Sequence, residues 1–285
     1  MLGLDNPVAL GSLAMLGSAL SHSVMTLLTK QAKDRLVFRA LTQLICTLLF
    51  LPWLIFQPLP SWEIWRFLLS SAIAVWAFNM LLIAAFERGE MNLVYPVMRG
   101  SAPALAACAA YIFLGETINL WQLAGLAIAS MALIGFAWPE KNGAPKLQVL
   151  LFAGAAACMT ASYTVIDAAG VRASDNVMIY VGWFFVLSSL TIGATAVLRR
   201  GTRLIPAVKQ VTLPAAQSSL FNLSTYGLAL YAYSIAPVAP MAALRETSIV
   251  FGAILAAFVL KESFGLRRIV LAAVLACALV MIQAL

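Results

Sequence analysis

Charge is what this chain has least of. Lys, Arg, Asp and Glu together make 10% of its 285 residues, with eleven acids and one histidine. Soluble domains carry roughly a quarter charged residues, so a soluble globular fold is excluded. The four cysteines (Cys46, Cys108, Cys158, Cys277) fall singly inside apolar runs, with no Cys-x-x-C spacing. With one histidine beside them, they argue against a metal site and against disulfides. A Walker loop, a His-x-x-x-His pair and a nucleophile–base pair are also missing. The chain is therefore expected not to be an enzyme, to hold no cofactor and to drive no transport by hydrolysing ATP. The first segment lacks a basic n-region and an Ala-x-Ala site, so it is expected to be a retained helix rather than a signal peptide.

What is present is apolar. Hydrophobic residues make up 63% of the chain and the mean hydropathy is +0.95. A bilayer span needs roughly 20 apolar residues, which leaves room for about ten spans and no extramembrane domain. The pattern predicts helices near 7–29, 36–56, 63–86, 92–114, 119–138, 147–167, 176–198, 212–234, 238–260 and 266–284. The one linker-like break, Pro139-Glu140-Lys141-Asn142-Gly143-Ala144-Pro145-Lys146, divides them five and five. The expected organisation is a first unit over 1–138, a linker over 139–146 and a second unit over 147–285.

The net charge of +7 would point to nucleic acid in a soluble protein. Here the basic residues cluster in the short loops. Fourteen fall in or beside the odd-numbered loops and only Arg66 and Arg172 in the even ones. By the positive-inside rule the odd loops are cytoplasmic and both termini face outward, toward the periplasm of a cell inner membrane. No nucleic-acid partner is expected. The partners are the lipid bilayer and a small-molecule substrate, with protons as a candidate coupling ion and a monomer or homodimer as the assembly.

The two halves share a register. At an offset of 146 residues six positions match without a gap: Arg99/Arg245, Ala107/Ala253, Ala110/Ala256, Leu114/Leu260, Glu116/Glu262 and Leu120/Leu266. In an Ala- and Leu-rich chain the matching arginine and glutamate carry the weight. Five helices per unit forces the second unit to enter the membrane upside down. The expected fold class is thus an all-α integral membrane protein, ten transmembrane helices in two inverted five-helix repeats. That architecture is a hallmark of alternating-access transporters, whose substrate site lies near the midplane.

The stretch from Tyr95-Pro96 to Leu114-Gly115-Glu116, then Trp121-Gln122-Leu123-Ala124-Gly125-Leu126-Ala127 and Gly135, is echoed by Leu260-Lys261-Glu262 and the helix after it. On these motifs the chain resembles the drug/metabolite transporter superfamily, EamA type, over essentially its whole length. The resemblance implies export of amino acids or other small metabolites. It also implies cytoplasmic termini, opposite to the loop count above.

Charged residues at membrane depth are the candidate site. Inserting one costs about 2.5–3.5 kcal/mol, so it faces a cavity or a partner. Arg99 and Arg245 each lie about 25 Å along the helix from their loop glutamate. They are read either as a pair of sites for an anionic group, gripped bidentately, or as members of an internal ion pair. Glu246, taken as the only acid well inside a helix, either balances Arg99 or carries a coupling proton. Glu116 and Glu262 end their helices and are expected to brace the hairpins by capping the start of the next helix. His22, with Thr26 one turn on, is read either as lining a cavity, with a proton carrier as one role there, or as hydrogen-bonding a neighbouring helix.

Trp76, Asn79, Tyr95, Tyr163, Trp183, Asn222 and Tyr226 mix rings with hydrogen-bonding groups, as a small-molecule pocket does, although buried aromatics are usually packing. The function expected is a secondary transporter, in the export direction, of a small polar solute with a carboxylate or other anionic group. The alternatives are an amine or nucleoside-like solute held by the aromatics, or a protein that binds lipid head groups. Pro96 and Pro103 around Arg99, and Pro237 and Pro240 before Arg245, are read as hinges or as helix starts.

Overall fold

The computed structural model describes the backbone of residues 6–88, 91–136, 147–260 and 266–283. Within these, the side chains at 30–31, 86–88, 91–97, 136, 253, 256–260, 266, 268 and 283 are not described. The linker 139–146 and Glu262 therefore lie outside the described residues, as does the side chain of Tyr95.

The described chain is helical, with no strand. In order it forms α1 (Pro7–Gln31), α2 (Arg35–Leu54), α3 (Trp62–Arg88), α4 (Met91–Leu114), α5 (Leu120–Phe136) and α6 (Leu147–Ala173). There follow α7 (Val177–Arg200), a 3-10 turn (Gly201–Arg203), α8 (Leu204–Ile235), α9 (Val238–Arg245), α10 (Ser248–Leu260) and α11 (Leu266–Gln283).

Helix starts are set by side chains that accept otherwise orphaned N–H groups. Asn6 accepts from Val8 at 2.9 Å, Asp34 from Val37 at 3.2 Å and Asn176 from Met178 at 2.8 Å. Asn119 and Gln122 exchange bonds as a reciprocal capping box before α5. Gly115 (φ 66°) and Gly201 (φ 51°) turn the chain out of α4 and α7 in the left-handed region.

Five helical stretches are long and apolar enough to cross a membrane: Pro7–Thr29, Arg35–Leu54, Trp62–Ala85, Leu147–Ala173 and the continuous run Val177–Ile235. Shorter apolar helices cover Met98–Leu114, Leu120–Gly135 and Ile269–Ile282. Large apolar side chains such as Leu48, Phe56, Ile73, Phe113, Leu151 and Leu198 point outward and exposed. In a chain this apolar, that outer surface is the face a bilayer covers.

Three boundaries differ from the sequence pattern, each for a local reason. The ninth predicted helix, 238–260, is two helices. At the junction the N–H groups of Glu246, Thr247 and Ile249 bond to carbonyls three residues back, and the Thr247 hydroxyl takes the Leu244 carbonyl at 2.7 Å. That tighter turn breaks the α-ladder directly after Arg245. By contrast α4 runs unbroken through Pro96 and Pro103. Pro237 stands as N-cap of α9, which is the helix-start reading.

The other two shifts lengthen helices. α8 begins at Leu204 and carries Pro214 inside it, so much of the expected seventh loop is helical. α6 continues to Ala173, which puts Asp167 in its interior and almost fully buried. Glu246 is therefore not the only intrahelical acid.

The packing has an internal symmetry when helices are matched in order as α1/α6, α2/α7, α3/α8, α4/α9–α10 and α5/α11. The α1–α8 contact is mirrored by α3–α6, the α1–α10 contact by α4–α6, and the α2–α8 contact by α3–α7. The α2–α7, α4–α9 and α5–α11 contacts join counterparts to each other. Small residues permit the closest approaches. A side chain at Gly125 would meet Ile282 and the Ala278 carbonyl of α11.

Candidate functional site

A cavity of about 580 Å³ runs into the bundle between the two halves. Its course is traced by α1, where His22, Thr26 and Thr29 step by about one turn toward Lys33 and a charged mouth of Asp34, Arg35, Arg199 and Arg200. Its blind end is formed by Arg99, Tyr163 and Arg245. The same three also line a small void of about 20 Å³, shared with Pro103, Ala106, Tyr233 and Glu246.

The blind end is a charge cluster. Arg99 Nη1 donates to Glu246 Oε1 at 3.0 Å and Oε2 at 3.3 Å, and its Nη2 contacts His22 Nε2. Arg245 packs its guanidinium over the Tyr226 ring, 5.5 Å from the centroid, in the range of a cation–π contact. The Nε of Arg245 and the Nδ1 of His22 are buried with no hydrogen-bond partner among the described residues. Buried donors of this kind are costly unless something fills them. Tyr163 is held edge-on by Phe78 at 5.9 Å, and Tyr226 stacks on Phe184 at 4.8 Å.

One wall carries a polar stripe that spacing on α2 produces. Arg39 and Gln43 lie one turn apart. Arg39 donates to the Asn79 amide oxygen, and the Gln43 oxygen accepts from Asn222 Nδ2 at 2.9 Å. Arg39 is one of the fourteen basic residues that the sequence places in or beside an odd-numbered loop. Its i, i+4 relation to Gln43 inside an apolar helix is the signal that marks it as a cavity residue.

Of the residues expected at a pocket, His22, Asn79, Arg99, Tyr163, Asn222, Tyr226 and Arg245 line this one cavity. Two expected residues lie elsewhere. Trp76 is 40% exposed on the outer side of α3, its indole N–H donating to Thr195 at 3.0 Å. Trp183 packs on Trp65 at 4.9 Å. Both follow from helical phase: Trp76 sits about 100° away from neighbours 75 and 77, and the cavity face of α3 is taken by Val75, Phe78, Asn79 and Leu82.

The end opposite the mouth is tied shut. Arg172, in the last turn of α6, donates to the Tyr233 and Ala236 carbonyls, both at 2.9 Å, and its Nη2 lies 2.8 Å from Glu116 Oε1. Glu116 Oε2 accepts the Val238 N–H at 2.8 Å. Glu116 thus caps α9 rather than the following helix α5, which Asn119 already caps. The clasp gathers the ends of α4, α6 and α8 and the start of α9.

At the open end Asp34 holds Arg200 through Nε at 2.6 Å and Nη2 at 3.1 Å. Burial pushes the Asp34 carboxyl up, but the Arg200 hydrogen bonds and the Val37 N–H outweigh it and hold the group below its ordinary range.

The EamA-like transporter family matches this chain over residues 9–138 and again over 146–283. The chain belongs to that family. Its members are membrane transporters, and the two matched segments coincide with the two halves related by the packing symmetry. No curated protein matches the chain. Its fold is similar to that of a solved crystal structure with 13% identity and a TM-score of 0.72, covering 95% of each chain.

Proposed function

We propose that this EamA-family protein is a secondary transporter, working as an exporter, of a small organic solute that carries a carboxylate or other anionic group. Its ten spans form two inverted five-helix units, over 1–138 and 147–285, in a cell inner membrane. The observation that carries the reading is Arg245. It is a buried guanidinium at the blind end of a cavity, beside a helix break, with no carboxylate partner among the described residues. A break near the midplane is where such transporters place substrate groups.

Arg99 is matched by Glu246, so Arg245 is the charge left for substrate. On the loop count the mouth of the cavity faces the cytoplasm and the Arg172–Glu116 clasp faces outward. Loading would then occur from inside, and release would need the clasp to part. An amine would meet the guanidinium that already covers Tyr226, which places cations below anions. A proton remains the candidate coupling ion, with Asp167, His22 and Glu246 as the titratable groups in the bundle.

The test is thermal stabilisation of the purified full chain in detergent by amino acids, dicarboxylates, phosphonates, quaternary amines and nucleosides. Anions should stabilise the wild type and lose that effect in Arg245→Gln. Stabilisation by amines alone, or by anions equally in the variant, would overturn the reading.

A further inference from the structure

The cavity holds more unmatched positive charge than one anionic group can neutralise. Among the described residues its one lining carboxylate, Asp34, is held by Arg200 at the mouth, and Arg99 is matched from behind the blind end by Glu246. Among the described residues neither Arg39 nor Arg245 has a carboxylate partner. Arg39 is fixed by a neutral acceptor, the Asn79 amide oxygen, and Arg245 by the face of Tyr226. The two guanidiniums enter from different halves, Arg39 on α2 and Arg245 at the end of α9.

Both line the same cavity, Arg245 against the Tyr226 ring and Arg39 against Asn79, with His22 and Asn222 lining it beside them. A solute lying along those two side chains is within reach of both heads. Between them the wall supplies neutral hydrogen-bonding groups, Gln43 and Asn222, and the apolar surface of Phe78. A monoanion seated at Arg245 would leave the Arg39 charge unmatched in a low-dielectric cavity, where uncompensated charge is costly. A solute with an anionic group at each end would match both.

The geometry points to a dianionic solute, with one carboxylate-like group on Arg245 and a second on Arg39. Arg39 is thereby a specificity residue. This deepens the anion reading above and rests on it. Each guanidinium–carboxylate contact is charge-assisted and can be bidentate. A second such contact should strengthen binding by about tenfold or more, since about 1.4 kcal/mol is a factor of ten.

The probes are succinate, glutarate and adipate, each against the monocarboxylate of equal chain length (butyrate, pentanoate, hexanoate), with 3-phosphonopropionate as a second dianion. Binding is titrated to the full-length protein in detergent. At least one dianion should bind ten times more tightly than its monoanionic match. Arg39→Gln should weaken dianion binding about tenfold more than monocarboxylate binding, and so remove that advantage, and Arg39→Lys, which keeps the charge, should retain part of it.

Equal binding of mono- and dicarboxylates to the wild type, with both lost in Arg245→Gln, would overturn the dianion assignment and leave the anion reading standing. No carboxylate or phosphonate binding by folded wild-type protein would overturn both. If Arg39→Gln weakens monocarboxylates and dianions by the same factor, Arg39 shapes the cavity without discriminating charge number, and the assignment fails.

Discussion

Arg99 and Glu246 lie 147 positions apart and meet at 3.0 Å across α4 and the α9–α10 junction, with side chains only 12% and 5% exposed. Each charge is tolerable at that depth because of the other. The pair also bolts the α9–α10 junction of one half to the continuous α4 of the other. A buried pair adds little net stability over apolar residues, but losing one partner strands the other.

Glu246→Gln is therefore expected to lower stability by about 3–5 kcal/mol. Arg99→Gln/Glu246→Gln should be less destabilised than the sum of the single variants. Thermal unfolding of the four proteins in one detergent supplies the cycle. Additive losses would mean that the two side chains act independently.

The clasp at the closed end predicts a conformational effect rather than a stability effect. Arg172→Gln removes the donor that holds the Tyr233 carbonyl of α8 and the Ala236 carbonyl just past it, and that faces Glu116. The ends of α6 and α8 should then part more often. A cysteine introduced at the buried Ala106, beside the small void, reports this through a membrane-impermeant thiol reagent. Its labelling should speed up about tenfold in the Arg172→Gln background, the effect of about 1.4 kcal/mol on an opening equilibrium. An unchanged rate would mean the clasp does not hold that end closed.

Much of this site could be read from the chain, and the parts that could not have physical causes. Arg99, Arg245, His22 and Asn222 stood out because polar groups inside apolar runs face a cavity or each other. Trp76 and Trp183 were drawn in with them because a helix with little amphipathic contrast gives no phase. α3 and α7, which carry them, set large apolar side chains outward (Ile73, Leu190) as well as inward (Val75, Phe184), so the pattern alone cannot say which face is inside.

Arg39 was lost to the loop count because it stands one turn into its helix, where a topology charge and a cavity charge look alike. Asp167 was lost because the sixth helix was expected to end there. The break after Arg245 has no glycine or proline at the junction to announce it. It is made by three-residue backbone bonds and the Thr247 hydroxyl, which only the fold can select.

Asp34 gives the chain a pH-dependent contact outside the membrane. Its carboxyl is held below its ordinary range in the fold, chiefly by Arg200 against the opposing effect of burial. A group lowered on folding stabilises fully above its unfolded value, about 4, and loses that stabilisation as pH falls through the folded value. The pair is partly solvated, so its size is under about 1 kcal/mol. The melting temperature of wild type should exceed that of Asp34→Asn at pH 6. The difference should shrink toward zero below pH 4; a constant difference from pH 6 to pH 3 would exclude the ion pair as its source.

Asp167 and Tyr180 form the most deeply buried polar contact between α6 and α7, hydroxyl to carboxyl at 2.9 Å. The tyrosine reaches that acid only because residue 170, one turn on, has no side chain. A Cβ at Gly170 would stand 2.4 Å from Tyr180 Cε2 and 2.6 Å from its hydroxyl oxygen. A ring wedged between two helices cannot retreat by rotating, so the backbone or the hydrogen bond must yield. Gly170→Ala is expected to cost about 1–3 kcal/mol, as overpacking does. Tyr180→Phe, which keeps the ring and removes the donor, should cost about 1–3 kcal/mol through the Asp167 oxygen it leaves unmatched. In a Tyr180→Ala background the obstacle is gone, and Gly170→Ala should then cost almost nothing. Thermal unfolding of the three single and double variants decides it. If alanine at 170 is equally damaging without the ring, the strain arises within α6 itself and not from the tyrosine laid across it.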